Sequence, residues 1–230
     1  MIQHDILGVI FVYVYVAILL VVTEKVLVKH PETSRKVLHI MVGNVAFLLP
    51  IFITREMMAF VAAGPFILFT FLMSPYTPIK SIRGKTSSAG HSMGLVYYSI
   101  TWTILAYLFF DSMVVIAIGI FAMSYGDGFA SLIGMKYGKH TYNVVGDKKS
   151  FVGTAAMFLF TFIMMIVAIL YYQFVMDYTF SFTFASVSLL ALFAAVGAIV
   201  EGFTPKGLDN LTVPFVIAAL YWYTFIYTAV

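Results

Sequence analysis

MVVIAIGIFAMSYGDGFASLIGMKYGKH, residues 113–140, carries the two features that decide how this chain folds. Met113 to Met123 is an unbroken apolar run, and the continuation sets Asp127 among small residues before ending in Lys136, Lys139 and His140. Hydrocarbon offers no partner to a backbone N–H or C=O, so a run of this kind reads as a helix that satisfies its own hydrogen bonds while crossing a bilayer. A barrel strand would alternate polar and apolar residues, and this stretch does not. The rest of the chain is written in the same style. Of its 230 residues 62% are hydrophobic and 10% charged, with a mean hydropathy of +1.01, which excludes an ordinary soluble domain. Cysteine is absent, so disulfides and thiolate metal sites are excluded as well.

Apolar runs near 6–22, 37–54, 57–73, 93–110, 112–133, 154–176, 183–200 and 211–230 approach the roughly 20 helical residues that a bilayer core requires. They predict an all-α, polytopic integral membrane protein of about eight transmembrane helices. The first run lacks a basic leader and a small-residue cleavage site and is followed by Glu24-Lys25, so it reads as a helix and not as a signal peptide. The basic residues then set the orientation. Lys25, Lys29, Arg35 and Lys36, then Lys80, Arg83 and Lys85, then Lys136, Lys139, Lys148 and Lys149, and finally Lys206 fall in alternate connections, with Arg55 alone on the opposite side. The positive-inside rule places the crowded side in the cytoplasm and both termini outside. Tyr221-Trp222-Tyr223 and Tyr227 suit an outer aromatic belt. No internal repeat, low-complexity tract or linker interrupts the pattern, which predicts one transmembrane domain over residues 1–230.

Four polar clusters gather on the predicted inner face. Arg35-Lys36-Val37-Leu38-His39 opens the second span, with Arg35 and His39 four apart and so on one helical face. Arg35 and Lys36 read either as lipid-headgroup snorkels or as phosphate ligands. His39 lies a turn inside the span, where an ionisable group is expensive and tends to face a cavity. Gly84-Lys85-Thr86-Ser87-Ser88-Ala89-Gly90-His91 imitates the end of a phosphate-binding loop, but Ile79 stands where that motif needs glycine, so it is not one. Ser124, Asp127, Ser131, Gly134 and Gly138 fall at helical spacing into one stripe of small and polar side chains. Small residues alone mean close helix packing, but a carboxylate near the end of an apolar helix calls for a partner such as a hard divalent cation. Gly146-Asp147-Lys148-Lys149-Ser150 offers two ammonium groups and a hydroxyl before a helix start, a combination that favours phosphate and also serves as a topogenic signal. Glu201-Gly202-Phe203-Thr204-Pro205-Lys206-Gly207-Leu208-Asp209-Asn210 brings two carboxylates and a carboxamide into one short connection, where Asp209 and Asn210 also qualify as a helix cap. Oxygens from this cluster and from Asp127 could hold Mg²⁺ bridging nucleotide phosphates.

In these residues the chain resembles the CTP-dependent polyprenol kinase family, which includes dolichol kinase, phytol kinase and CTP-dependent diacylglycerol kinase and is related to phosphatidate cytidylyltransferases. The resemblance lies in Arg35-Lys36-x-x-His39, in Gly126-Asp127-Gly128-x-Ala130-x-x-x-Gly134 with Tyr137-Gly138-Lys139, in Lys148-Lys149-Ser150-x-x-Gly153 and in Glu201-x-x-x-Pro205-x-Gly207-x-Asp209-Asn210. One departure is Val152, where many members carry Glu before the glycine. The resemblance implies transfer of the γ-phosphoryl group of CTP to a membrane isoprenoid alcohol of phytol, geranylgeraniol or dolichol type, at the cytoplasmic face. It implies Mg²⁺ at Asp127 and Asp209. Arg35, Lys36, Lys139, Lys148, Lys149, Ser150 and Asn210 would face nucleotide and phosphate. Asp127, His39 and Glu201 would be catalytic, with His39 and Glu201 both eligible as the base that takes the hydroxyl proton. The partners so implied are a nucleotide and a lipid alcohol whose tail stays in hydrocarbon, and no nucleic acid. Phosphorylation of diacylglycerol, and a cytidylyltransferase that attacks the α-phosphate, are the alternative enzymes. A lipid-binding or transport protein is the alternative outside catalysis, although the charges at mid-bilayer and the paired broken helices that mark transporters are not found.

Overall fold

The computed structural model describes residues 2–27, 29–79, 93–145 and 147–228. Its apolar helices are, in chain order, α1 (Gln3–Val26), α2 (Pro31–Ile51), α3 (Met57–Met73), α4 (Gly94–Leu108), α5 (Phe110–Tyr137), α6 (Phe151–Met176), α7 (Phe184–Phe203) and α8 (Asp209–Tyr227). Six of them are long and apolar enough to cross a membrane, and α3 and α4 are shorter. The protein is an all-α polytopic membrane protein, as the apolar runs predicted, with helix limits close to those read from the sequence.

The unbroken apolar run and the Asp127 segment after it form α5, the axis of the bundle. Every side chain from Met113 to Phe121 is buried, and 89% of the most apolar window of α5 is covered by the other helices, against 44% or less for each of the other long ones. Those outer helices direct large apolar residues outward, among them Ile10 and Phe11 on α1, Phe174 on α6 and Ile199 on α7. In water such a surface would aggregate; in hydrocarbon it is the expected face. At one end of the bundle Asp5 of α1 is buried and accepts from the backbone N–H of Ile53 and Thr54 at 2.8 and 3.2 Å, which stabilises the α2–α3 connection. The same end joins Arg55 to Asp111 at the start of α5. Asp127 lies sixteen positions along α5 from Asp111, or about 24 Å at 1.5 Å per residue.

Two local features shape that second end. Between Ala122 and Asp127 the backbone of α5 widens into a π-helical turn, a distortion often found at functional sites. Beyond α5 the connection read from the sequence as a basic loop pairs into a small hairpin, β1 (Thr141–Val144) against β2 (Asp147–Ser150), with Thr141 opposite Ser150 and Val144 opposite Asp147. Thr, Tyr and Val on β1 favour extended backbone. Ser150 then caps α6, its Oγ accepting from Gly153 N at 3.1 Å. Between α7 and α8 the chain reverses through Lys206 and Gly207 at φ 58° and 78°, a left-handed turn for which glycine carries no steric penalty. This reversal is what returns Asp209 beside Glu201.

Candidate active site

Three segments far apart in sequence place carboxylates in one spot. Asp127 comes from the π turn of α5, Glu201 from the last turn of α7 and Asp209 from the first turn of α8, and one oxygen from each lies within 4.8 Å of the others. All three are buried, and two lysines pair with them. Lys36 Nζ donates to Asp127 Oδ2 at 2.8 Å. Lys149 Nζ donates to Glu201 Oε1 at 2.5 Å, to the Glu201 carbonyl at 2.7 Å and to Asp209 Oδ2 at 3.3 Å. Burial alone would lower the Lys149 ammonium, but the Asp209 and Glu201 carboxylates override it and hold the group above the ordinary lysine range. Asp147, on the same strand, accepts from Lys206 N at 2.5 Å, so the hairpin is tied to the connection that carries Glu201 and Asp209.

These groups wall a polar cavity of about 490 Å³, lined also by Arg35, Lys148, Ser150 and Asn210. Asn210 donates to the Gly94 carbonyl at 2.9 Å and leaves its Oδ1 buried without a hydrogen-bond partner. Asp209 Oδ1 accepts from Asn210 N at 3.0 Å. Both residues lie inside the first turn of α8, whose N-cap position is Leu208 with no side-chain cap bond, so the expected cap is not formed and the two residues line the cavity instead. Of the residues singled out in the sequence, Lys139 is exposed and does not line the cavity. Val152 is also turned outward, so the departure noted there leaves the lining unchanged. The cluster Gly84 to His91, with Lys80, Arg83 and Lys85, lies outside the described residues.

The expected single stripe on α5 is only partly realised. Asp127, Ser131, Gly134 and Gly138 line the cavity, whereas Ser124 is buried on another side, 2.8 Å from the Tyr98 hydroxyl. The π turn accommodates an extra residue and so breaks the α-helical register on which the stripe was drawn. Arg35 and His39 also separate. Arg35 lines the polar cavity, while His39 packs behind Asp127, its Nε2 2.9 Å from Met123 O and 3.4 Å from Asp127 Oδ2. A carbonyl accepts only a donor, so in the neutral ring Nε2 carries the proton and Nδ1 is the acceptor. Tyr98, missed in the sequence, holds this ring in place: its hydroxyl donates to the His39 carbonyl at 3.1 Å and its ring lies 4.6 Å from the imidazole. A hydroxylated aromatic inside an apolar run was the available signal.

His39 also forms the end wall of a second space. A narrow apolar crevice of about 90 Å³ runs between α1, α2, α3 and α4. Its few hydroxyls are turned to protein partners: Thr70 Oγ1 to Phe66 O at 2.7 Å, Ser99 Oγ to Leu95 O at 3.1 Å, and Tyr98 as above.

Three buried carboxylate oxygens at this spacing fit a hard divalent cation, since ligands of Mg²⁺ at about 2.1 Å stand roughly 3 to 4 Å from one another. Thiolate or imidazole sets would favour softer metals, and this set contains neither. Fold and site together define a helical membrane protein with a cavity of lysine-paired carboxylates at one end of its bundle. The chain is 34% identical over 193 residues to phytol kinase of Synechocystis sp., covering 83% of this chain and 78% of that protein. It is 30% identical over 206 residues to a probable chloroplastic phytol kinase of Triticum aestivum, covering 84% and 67% respectively. The chain belongs to the polyprenol/phytol kinase family. No protein-family model and no solved structure matches it.

Proposed function

We propose that this protein transfers the γ-phosphoryl group of CTP to the hydroxyl of a membrane isoprenoid alcohol, of phytol or geranylgeraniol type, with Mg²⁺ and at the cytoplasmic face. Convergence of Asp127, Glu201 and Asp209 beside Lys36 and Lys149 is the observation that supports it. Phosphoryl transfer requires positioning and neutralisation of phosphate charge more than covalent chemistry. Magnesium, when bound, would neutralise phosphate oxygens, and the three carboxylates are the residues that would hold it. Arg35, Lys148 and Lys149 line the same cavity as cationic donors for phosphate. Between the two candidate bases, the arrangement favours His39. Glu201 pairs with Lys149 and would be taken up as a magnesium ligand, whereas His39 retains an acceptor nitrogen on a ring at the border of polar and apolar spaces.

The test supplies purified protein with CTP labelled at the γ or the α position, Mg²⁺ and a panel of phytol, geranylgeraniol, dolichol and diacylglycerol. Label from the γ position on an isoprenoid alcohol is the expected result. Label from the α position would identify a cytidylyltransferase, preference for diacylglycerol would reassign the acceptor, and absence of turnover on the whole panel would favour binding or transport. Chelation should abolish turnover and added Mg²⁺ restore it.

A further inference from the structure

The crevice between α1 and α4 is unlike the lipid-facing surface of the bundle. Apolar side chains from all four helices line it, including Leu20, Leu38, Val45 and Met58, together with Phe52 from the connection after α2. On α4 it extends from Leu95 to Ala106, about 16 Å along a helix at 1.5 Å per residue and so about half of the roughly 30 Å hydrocarbon core. Its hydroxyls are already bonded to protein and, apart from the buried Trp102 Nε1–H, which has no hydrogen-bond partner among the described residues, this wall has little to offer water or a polar ligand, so its natural occupant is a hydrocarbon chain. The polar end is the exception. His39 belongs to the crevice wall, and its Nε2 is 3.4 Å from Asp127 Oδ2, which belongs to the polar cavity. A single side chain therefore separates a hydrocarbon-shaped space from the carboxylate cluster. The two spaces are arranged for one molecule with a polar head and one apolar tail.

We infer that the crevice receives the isoprenoid tail of the acceptor alcohol, with its hydroxyl at His39 facing the Asp127 end, so that the tail is held inside the bundle and not left in the surrounding lipid. This rests on the acceptor being an isoprenoid alcohol, as proposed above, and makes the depth of the crevice a determinant of chain length. The crevice is narrow at about 90 Å³, so a tail enters by spreading its Leu, Met and Phe walls; alcohols of about its length then lie within it, while a dolichol chain must extend out of its mouth.

The test combines labelling with turnover. A phytol analogue bearing a diazirine at its tail end, irradiated with the wild-type protein in nanodiscs without nucleotide, should label peptides of α1 to α4, and excess phytol should suppress that labelling. Labelling confined to α6, α7 or α8, or α1–α4 labelling that phytol does not displace, as a resident bilayer lipid would produce, overturns the inference. In parallel, Ala63→Phe, which enlarges a residue of the crevice wall, should raise KM for phytol on the order of tenfold and leave kcat/KM for the short alcohol citronellol unchanged. An equal loss for both alcohols, or for neither, also overturns it. Labelling in the crevice without phosphorylation of any alcohol would refute the proposed reaction and leave the tail site standing. Phosphorylation with labelling elsewhere would do the reverse.

Discussion

Asp127 occupies an expensive place for a charge, the buried side of the central helix, and is matched there by Lys36 at 2.8 Å and approached by His39 at 3.4 Å. Buried carboxylates persist only when paired or bound to metal. Asp127→Asn keeps an acceptor for Lys36 and nearly the same volume while removing the charge. Turnover should be abolished with the thermal transition in detergent retained, and an active variant would remove Asp127 from the metal site. The lysines of the hairpin should behave differently from one another. Lys149 is the shared partner of Glu201 and Asp209, so Lys149→Met should lower stability by about 3–5 kcal/mol as well as eliminate activity. Lys148 is exposed at the cavity, so Lys148→Met should lower turnover with stability changed by no more than about 0.5 kcal/mol. Denaturation and kinetics measured on the same preparations distinguish the two. Because the folded Lys149 value is raised, its pairing contributes fully below the ordinary lysine pKa of 10.5 and is lost only as pH rises through the elevated value, so alkaline losses nearer neutrality should come from other groups.

Among the elements, the hairpin and the start of α6 act as one clamp. Ser150 closes β2, caps α6 and lies so close to α5 that a Cβ on Gly134 would come within 2.8 Å of its Oγ. Gly134 is thus required by proximity, and Gly134→Leu should cost about 1–3 kcal/mol by overpacking and lower kcat by displacing Lys149 from the carboxylates. Ser150→Ala, which removes the cap without crowding, should cost about 1 kcal/mol. A thermal scan of both variants checks the order. This clamp was only partly legible beforehand. The basic character of residues 136–149 and the helix start after Ser150 were readable, but pairing of β1 with β2 depends on cross-strand contacts that no local pattern in so short a segment reveals.

For the whole molecule, the distribution of Lys and Arg predicts that the hairpin end faces the cytoplasm. The absence of cysteine makes this easy to test. Lys136→Cys, beside the hairpin, and Ser181→Cys, between α6 and α7, are both at exposed positions. In sealed right-side-out vesicles a membrane-impermeant maleimide should label Ser181→Cys and spare Lys136→Cys until the membrane is permeabilised, and the opposite pattern would invert the orientation. The sequence alone was sufficient for the helical membrane class and for the approximate limits of the helices, because the solvent acts on every residue of a span and leaves its mark in continuous apolar runs. It also marked the chemically unusual residues, since a buried charge is conspicuous in such runs. Only the tertiary structure decided which of them meet. Asp127, Glu201 and Asp209 converge through a π turn, a left-handed reversal at Lys206-Gly207 and the packing of α7 and α8 around α5. The same packing turned Ser124 away from the cavity, left Lys139 outside it, and placed His39 between a polar space and an apolar one. Such distances depend on how helices remote in sequence lie against each other, and a local pattern specifies the face a residue occupies but not what that face meets.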